Sequence, residues 1–177
     1  MLCSRYHKKS RLEKPTSSND DVWMWVLKNK DGEEYEKIKF LMKEDDVIVA
    51  MEERNDSVLS DYFVDVIYIK TLAEFERLVS EVDCVVSMRY HGVILGLVSS
   101  VSVIGIGTLK SKFLLNDLGA EGRHYESLVS FYQSVKSSNL SRSEAIRESE
   151  INRDIIDKWR LDMDGFIKRS LSPLLEC

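Results

Sequence analysis

Short apolar runs rich in Val and Ile recur along this chain with stretches of helical period between them, and this alternation constrains the fold more than any other feature. The runs fall at residues 22–27, 47–51, 64–69, 84–88 and 101–106, and helical period occupies 34–43, 57–63, 72–82, 91–99 and 109–118 between and after them. Continuously apolar strands belong to sheets covered on both faces, and strands that take turns with helices pair in parallel through crossovers. The expected architecture is α/β: a doubly wound, mainly parallel sheet with helices on both faces.

Local signals support individual elements. Thr71 and Glu74 have capping-box spacing, and Leu72, Phe75, Leu78, Val79 and Val82 form one apolar stripe behind them. Gly119 is placed to stop the helix that contains Phe113, Leu114 and Leu118. The rhythm fades through residues 130–143. Ser141 and Glu144 then suggest a second capping box, opening a long C-terminal helix with a stripe of Ile151, Ile155, Trp159, Met163, Phe166 and Ile167. Trp159 reads as a packing residue, against the sheet domain or a neighbour. With 177 residues, the chain divides into a flexible basic segment (1–21), a Rossmann-like α/β domain (22–140) and a C-terminal helical segment (141–177).

Charge and cysteine usage exclude several function classes. The net charge is -5, of which residues 1–20 carry +3 and the rest -8, so the body is acidic and does not favour nucleic acid. Cys3, Cys84 and Cys177 are too few and too scattered for a disulfide framework or a zinc site, and no carboxylate and histidine cluster suggests another metal. No apolar stretch reaches the roughly 20 residues of a transmembrane helix, and no apolar segment follows the basic start. These features lead us to expect a cytoplasmic, soluble protein.

The stretch Asp83-Cys84-Val85-Val86-Ser87-Met88-Arg89-Tyr90-His91-Gly92 is the most informative chemically. It sets an Arg and a His just past the carboxyl end of a buried strand and into the first turn of the next helix, where doubly wound sheets bind ligands. Unpaired N–H groups and the helix dipole favour an anion there, and a guanidinium adds a fork that fits carboxylate or phosphate. Singly, Arg89 would read as a strand-end ion pair and His91 as a residue bonded to backbone. Together they mark a candidate site. Gly92 and Gly96 allow the apolar helix that follows to approach its neighbours closely.

Those residues, continued by Val93-Ile94-Leu95-Gly96, Val103-Ile104-Gly105-Ile106, Lys110-Ser111-Lys112-Phe113-Leu114 and Gly119, resemble the signature stretch of polysaccharide pyruvyl transferases. That signature is an apolar strand ending in Met-Arg-x-His, a small-residue apolar helix, another strand, a Lys, and a Phe-Leu helix ending in Leu-Gly. The resemblance implies a Rossmann-like half of a GT-B-type enzyme that transfers a pyruvyl ketal from phosphoenolpyruvate to sugar hydroxyls in cell-surface or exopolysaccharide biosynthesis. It maps Arg89 onto the motif Arg that holds the donor, His91 onto the motif His as general acid or base, and Lys110 onto the motif Lys, with Thr108 beside it in the donor-binding turn. It implies no cofactor besides the donor substrate, a saccharide or lipid-linked saccharide acceptor, and a partner domain or a homo-oligomer to complete the site.

The chain also departs from the family. It lacks the Gly-Asn-x-Gly-Asp type loop that opens the other half of its relatives, it has Ser99-Ser100-Val101-Ser102 where they often show Gly-x-Pro, and Gly107-Thr108 replaces an aromatic-containing turn before the Lys. Two alternatives follow. One is a non-catalytic or truncated subunit that binds an anion without turnover. The other is a nucleotide-sugar glycosyltransferase half.

Overall fold

A computed structural model of the chain describes residues 21–30, 32–137, 158, 159 and 161. Six strands form one sheet in the order β3-β2-β1-β4-β5-β6, and every adjacent pair is parallel. The strands are β1 (Trp23–Leu27), β2 (Val47–Ala50), β3 (Ile67–Tyr68), β4 (Cys84–Ser87), β5 (Ser102–Ile106) and β6 (His124–Tyr125). The helices are α1 (Gly32–Leu41), α2 (Glu53–Asp56), α3 (Leu59–Tyr62), α4 (Leu72–Val79), α5 (Tyr90–Val98), α6 (Leu109–Asp117) and α7 (Leu128–Ser137).

Alternation of side chains across each strand divides the core into two layers. Trp23, Trp25 and Leu27 of β1 face Tyr35 and Ile38 of α1, Leu59 of α3, and Leu128 and Phe131 of α7. Met24 and Val26 point the other way, to Phe75 and Leu78 of α4, Val93 and Leu97 of α5, and Leu115 of α6. All five β1 residues are buried, which is why the strand is apolar without alternation. The indole N–H of Trp25 is not stranded by this burial, because Asp46 accepts it at 2.9 Å and also accepts the backbone N–H of Trp23 at 3.0 Å. Trp159 packs against the second layer, as its place in an apolar stripe suggests. The rest of the expected final helix lies outside the described residues.

The Thr71 capping box forms in full, with Glu74 N–H donating to the Thr71 hydroxyl at 3.2 Å and the Glu74 carboxylate accepting from Thr71 N–H at 3.2 Å. Gly119 takes φ +68 just past α6, the left-handed turn that glycine adopts without a Cβ penalty. Several boundaries differ from the sequence reading. Residues 64–69 do not form one strand: Val64 is 87% exposed and Asp65 has φ +63, so a turn takes the first half and only Ile67–Tyr68 pairs. The short helix expected over 57–63 forms as α3, and a further helix, α2, precedes it before a turn at Ser57. Leu72, the first residue of α4, is 55% exposed and lies outside the buried stripe of Phe75, Leu78 and Val79. The fading rhythm after Gly119 concealed a sixth strand and α7. Their anchors are few: Leu128 and Phe131, with Val135 half-buried against the same layer, and Ser127, whose hydroxyl accepts the N–H of Ser130 at 3.1 Å.

Candidate functional site

The strand order reverses at β1, which has β2 on one side and β4 on the other. The loops leaving β1 and β4 therefore diverge to opposite faces and leave a crevice at their carboxyl ends, the place where doubly wound sheets receive ligands. Residues 87–92 build one wall. Ser87, fully buried, pairs in register with Val26, and its hydroxyl donates to the Arg89 carbonyl at 2.7 Å while accepting the Arg89 N–H at 3.1 Å. That local clasp turns the chain from strand to helix. Gly92 lets the helix start so close: a Cβ there would run into Ser87 Oγ and Val26. Arg89 occupies the N-cap of α5 in extended conformation and gives the helix no side-chain cap. The opening N–H groups of α5 thus receive no bond from the Arg89 side chain, and the positive end of the helix dipole lies at this strand-order reversal.

The Arg89 guanidinium reaches across the strand ends. Its Nε donates to the Leu27 carbonyl at 3.4 Å, Nη2 donates to both Asp56 oxygens at 2.5 and 2.7 Å, and Nη1 donates to Glu52 Oε1 at 2.5 Å. Asp56 is fully buried and also accepts the backbone N–H groups of Asn29 at 3.1 Å and Glu52 at 3.2 Å. One carboxylate thereby ties the ends of β1, β2 and β4 together. Glu52 differs from it: its side chain is 50% exposed. The Asn55 amide, donating at 2.6 Å, and then the charge of Arg89 hold the Glu52 carboxyl below the usual carboxylate range.

The structure brings His91 and Lys110 to the same edge, both near the Tyr90 ring. The His91 ring lies 6.0 Å from the Tyr90 ring, and the Lys110 ammonium lies 6.0 Å from the centre of that ring. His91 and Lys110 are both exposed and Tyr90 is half-buried. Thr108 serves its own helix: its hydroxyl accepts the Ser111 N–H at 3.1 Å as the cap of α6 and lies 2.6 Å from Ser111 Oγ. Its carbonyl is 3.1 Å from His124 Nε2. Burial first, and then the Lys112 charge, push the His124 imidazole below its ordinary pKa, against the opposing pull of that carbonyl. Among the described residues no group of three His, Cys, Asp or Glu is arranged to hold a metal ion, and no helix is long and apolar enough to cross a membrane.

The polysaccharide pyruvyl transferase family model matches residues 3–110 of this chain. The chain belongs to that family. Arg89, Tyr90 and His91 fall inside the match, and Lys110 is its last residue. No curated protein matches the chain. Among solved structures it is similar to the glycosyltransferase SnogD from Streptomyces nogalater, with 15% identity and a TM-score of 0.44 over 85% of this chain and 39% of that one. The chain thus spans well under half the length of that glycosyltransferase. Three residues of the candidate site escaped the sequence reading: Asp56, Glu52 and Tyr90. The first two sit in the polar run Glu52-Glu53-Arg54-Asn55-Asp56, which looks like a solvated surface and carries no sequence signal of their pairing with Arg89.

Proposed function

We propose that the crevice at the carboxyl ends of β1 and β4 binds phosphoenolpyruvate and that the chain transfers its pyruvyl carbons to sugar hydroxyls as a ketal. The observation that carries the reading is the uncapped opening of α5 at the strand-order reversal, with Arg89 and His91 of the family motif on it and Lys110 near the Tyr90 ring. The donor is a compact, highly charged anion. The N–H groups of α5, the Lys110 ammonium and the Arg89 guanidinium are the groups that such an anion would meet there.

His91 supplies the imidazole of this edge, the side chain most often used to give and take protons in catalysis. In the proposed reaction His91 gives a proton to the methylene carbon of the donor, and C2 becomes an oxocarbenium-like centre. A sugar hydroxyl adds to C2 and its proton returns to the imidazole. A second hydroxyl of the same sugar then displaces phosphate from C2, its proton leaving with the phosphate, and the ketal closes. Lys110 and Arg89 stabilise the charge on the departing phosphate and on the carboxylate. The cell-surface or exopolysaccharide acceptor belongs to the same proposal.

Calorimetry with phosphoenolpyruvate on the wild type, Arg89→Lys, Lys110→Ala and His91→Ala tests it, beside a ketal-formation assay. Lys110→Ala should lose about tenfold or more in affinity, the effect of one charge-assisted bond. Arg89→Lys should bind less well because an ammonium cannot serve Asp56 and a donor at once. His91→Ala should bind nearly as the wild type and lose on the order of 100-fold or more in turnover. Unchanged affinity in both Lys110→Ala and Arg89→Lys would remove the donor from this crevice.

A further inference from the structure

Arg89 divides its donors between two carboxylates of opposite character. Nη2 is committed to Asp56, which is fully buried and holds two backbone N–H groups besides, so that pair cannot open without unpicking the ends of β1 and β2. Among the described residues Nη1 donates to Glu52, whose side chain is half in solvent. Glu52 also has a second partner for its other oxygen, the Asn55 amide at 2.6 Å, so it keeps a hydrogen bond if it leaves the guanidinium.

We propose that Glu52 is an internal carboxylate that occupies the outward arm of Arg89 and is displaced from it by the carboxylate of the anionic donor, Asp56 meanwhile holding the guanidinium in place. The inference rests on the donor site proposed above and adds to it a selection device. The Nη1 arm exchanges Glu52 for an anionic group of the ligand, so the number of ion pairs is conserved and the arm rewards a ligand that brings a second anionic group besides the one held at α5 and Lys110. Inorganic phosphate, with a single anionic group, would bind the α5 opening and Lys110 and leave Glu52 on Nη1. A ligand with both groups gains both contacts. Exchange of this kind is cheaper at Glu52 because its carboxylate is half in solvent and keeps the Asn55 bond, and costly at Asp56 because removing one partner strands a buried charge. Glu52 would thus set the affinity for carboxylate ligands, and Asp56 would act as a positioning residue for Arg89.

The test is calorimetry on the full chain with phosphoenolpyruvate and with inorganic phosphate, on wild type, Glu52→Gln, Glu52→Asp and Asp56→Asn. Glu52→Gln removes the competitor and leaves a neutral amide of the same shape. It should bind phosphoenolpyruvate roughly three- to tenfold more tightly, the range expected when a half-exposed ion pair no longer has to be broken and a like charge is gone. Inorganic phosphate should gain less than twofold. Glu52→Asp should restore wild-type affinity at least in part, and Asp56→Asn should weaken phosphoenolpyruvate more than phosphate. Equal gains for both ligands in Glu52→Gln would show a general charge effect and overturn the exchange. Unchanged phosphoenolpyruvate affinity in Glu52→Gln, with Lys110→Ala still weakening it, would overturn the exchange and leave the donor site standing. Failure of phosphoenolpyruvate to bind any variant would overturn both.

Discussion

Removing the Asp56 carboxylate should be among the most costly single changes at the crevice, and the structure allows its cost to be worked out. Asp56→Ala deletes two bonds to Arg89 Nη2 at 2.5 and 2.7 Å and leaves the N–H groups of Asn29 and Glu52, 3.1 and 3.2 Å away, without their acceptor. Arg89 is only 16% exposed, so its charge cannot be fully rehydrated where it stands. Breaking one side of a buried pair costs about 3–5 kcal/mol. The remaining bond to Glu52 and the partial exposure of Arg89 place this case near the lower end, at about 3 kcal/mol. Urea unfolding followed by circular dichroism measures it, and with a slope of about 2 kcal/mol per molar the midpoint should fall by roughly 1.5 M. Asp56→Asn keeps one oxygen acceptor and should lose about half as much. In the double variant with Arg89→Ala the losses should not add, leaving a coupling of about 1–3 kcal/mol. A loss below about 1 kcal/mol in Asp56→Ala, or strict additivity with Arg89→Ala, would refute the view that this pair clamps the strand ends.

Other consequences can be checked on the same protein. Gly96→Ala would place a Cβ 2.7 Å from Val103 Cγ2 and 3.3 Å from Val85 Cβ, between α5 and two buried strands, and should cost about 1–3 kcal/mol, read as a fall of several degrees in Tm. His124 is held below its ordinary pKa chiefly by burial, so the unfolded chain takes up its proton first. The stability it contributes is fully present above the unfolded value of about 6.5 and is lost as pH falls through the folded value. Urea midpoints between pH 7.5 and 5.5 should decline in the wild type and decline less in His124→Gln. Cys84 is fully buried at the start of β4, and its thiol should react with a labelling reagent only as fast as the protein unfolds; rapid labelling under native conditions would contradict its place in the core.

Much of this architecture can be read from residue order alone, because its causes are local. A strand covered on both faces must be apolar throughout, as Trp23–Leu27 and Cys84–Ser87 are. A helix needs a cap, as Thr71 and Glu74 supply, and a left-handed stop falls to a glycine, as at Gly119. The apolar helix opening at Gly92 likewise announces close packing, which the contacts of Gly92 and Gly96 with Ser87, Val26 and Val103 bear out. The family motif is legible for the same reason, since Arg89, His91 and Lys110 are spaced by one strand and two helix starts.

What residue order could not decide is what each polar side chain faces. Arg89 presents one fork. Its partners Glu52 and Asp56 lie 37 and 33 residues away and reach it only because β2 and β4 both flank β1 in the sheet. Thr108 stands next to the motif Lys in the chain, yet its hydroxyl is spent on capping α6, and Tyr90, an unspecified position in the motif, becomes the surface that His91 and Lys110 share. The two-residue strand β6 is decided in the same way. Its pairing with Gly105 and Ile106 depends on a neighbour already in place, not on any propensity of His124 and Tyr125. Backbone period and capping are properties of neighbours in sequence, so the sequence determined them by itself; charge pairing and edge-strand pairing are properties of neighbours in space, and only the strand order 3-2-1-4-5-6 chose those neighbours.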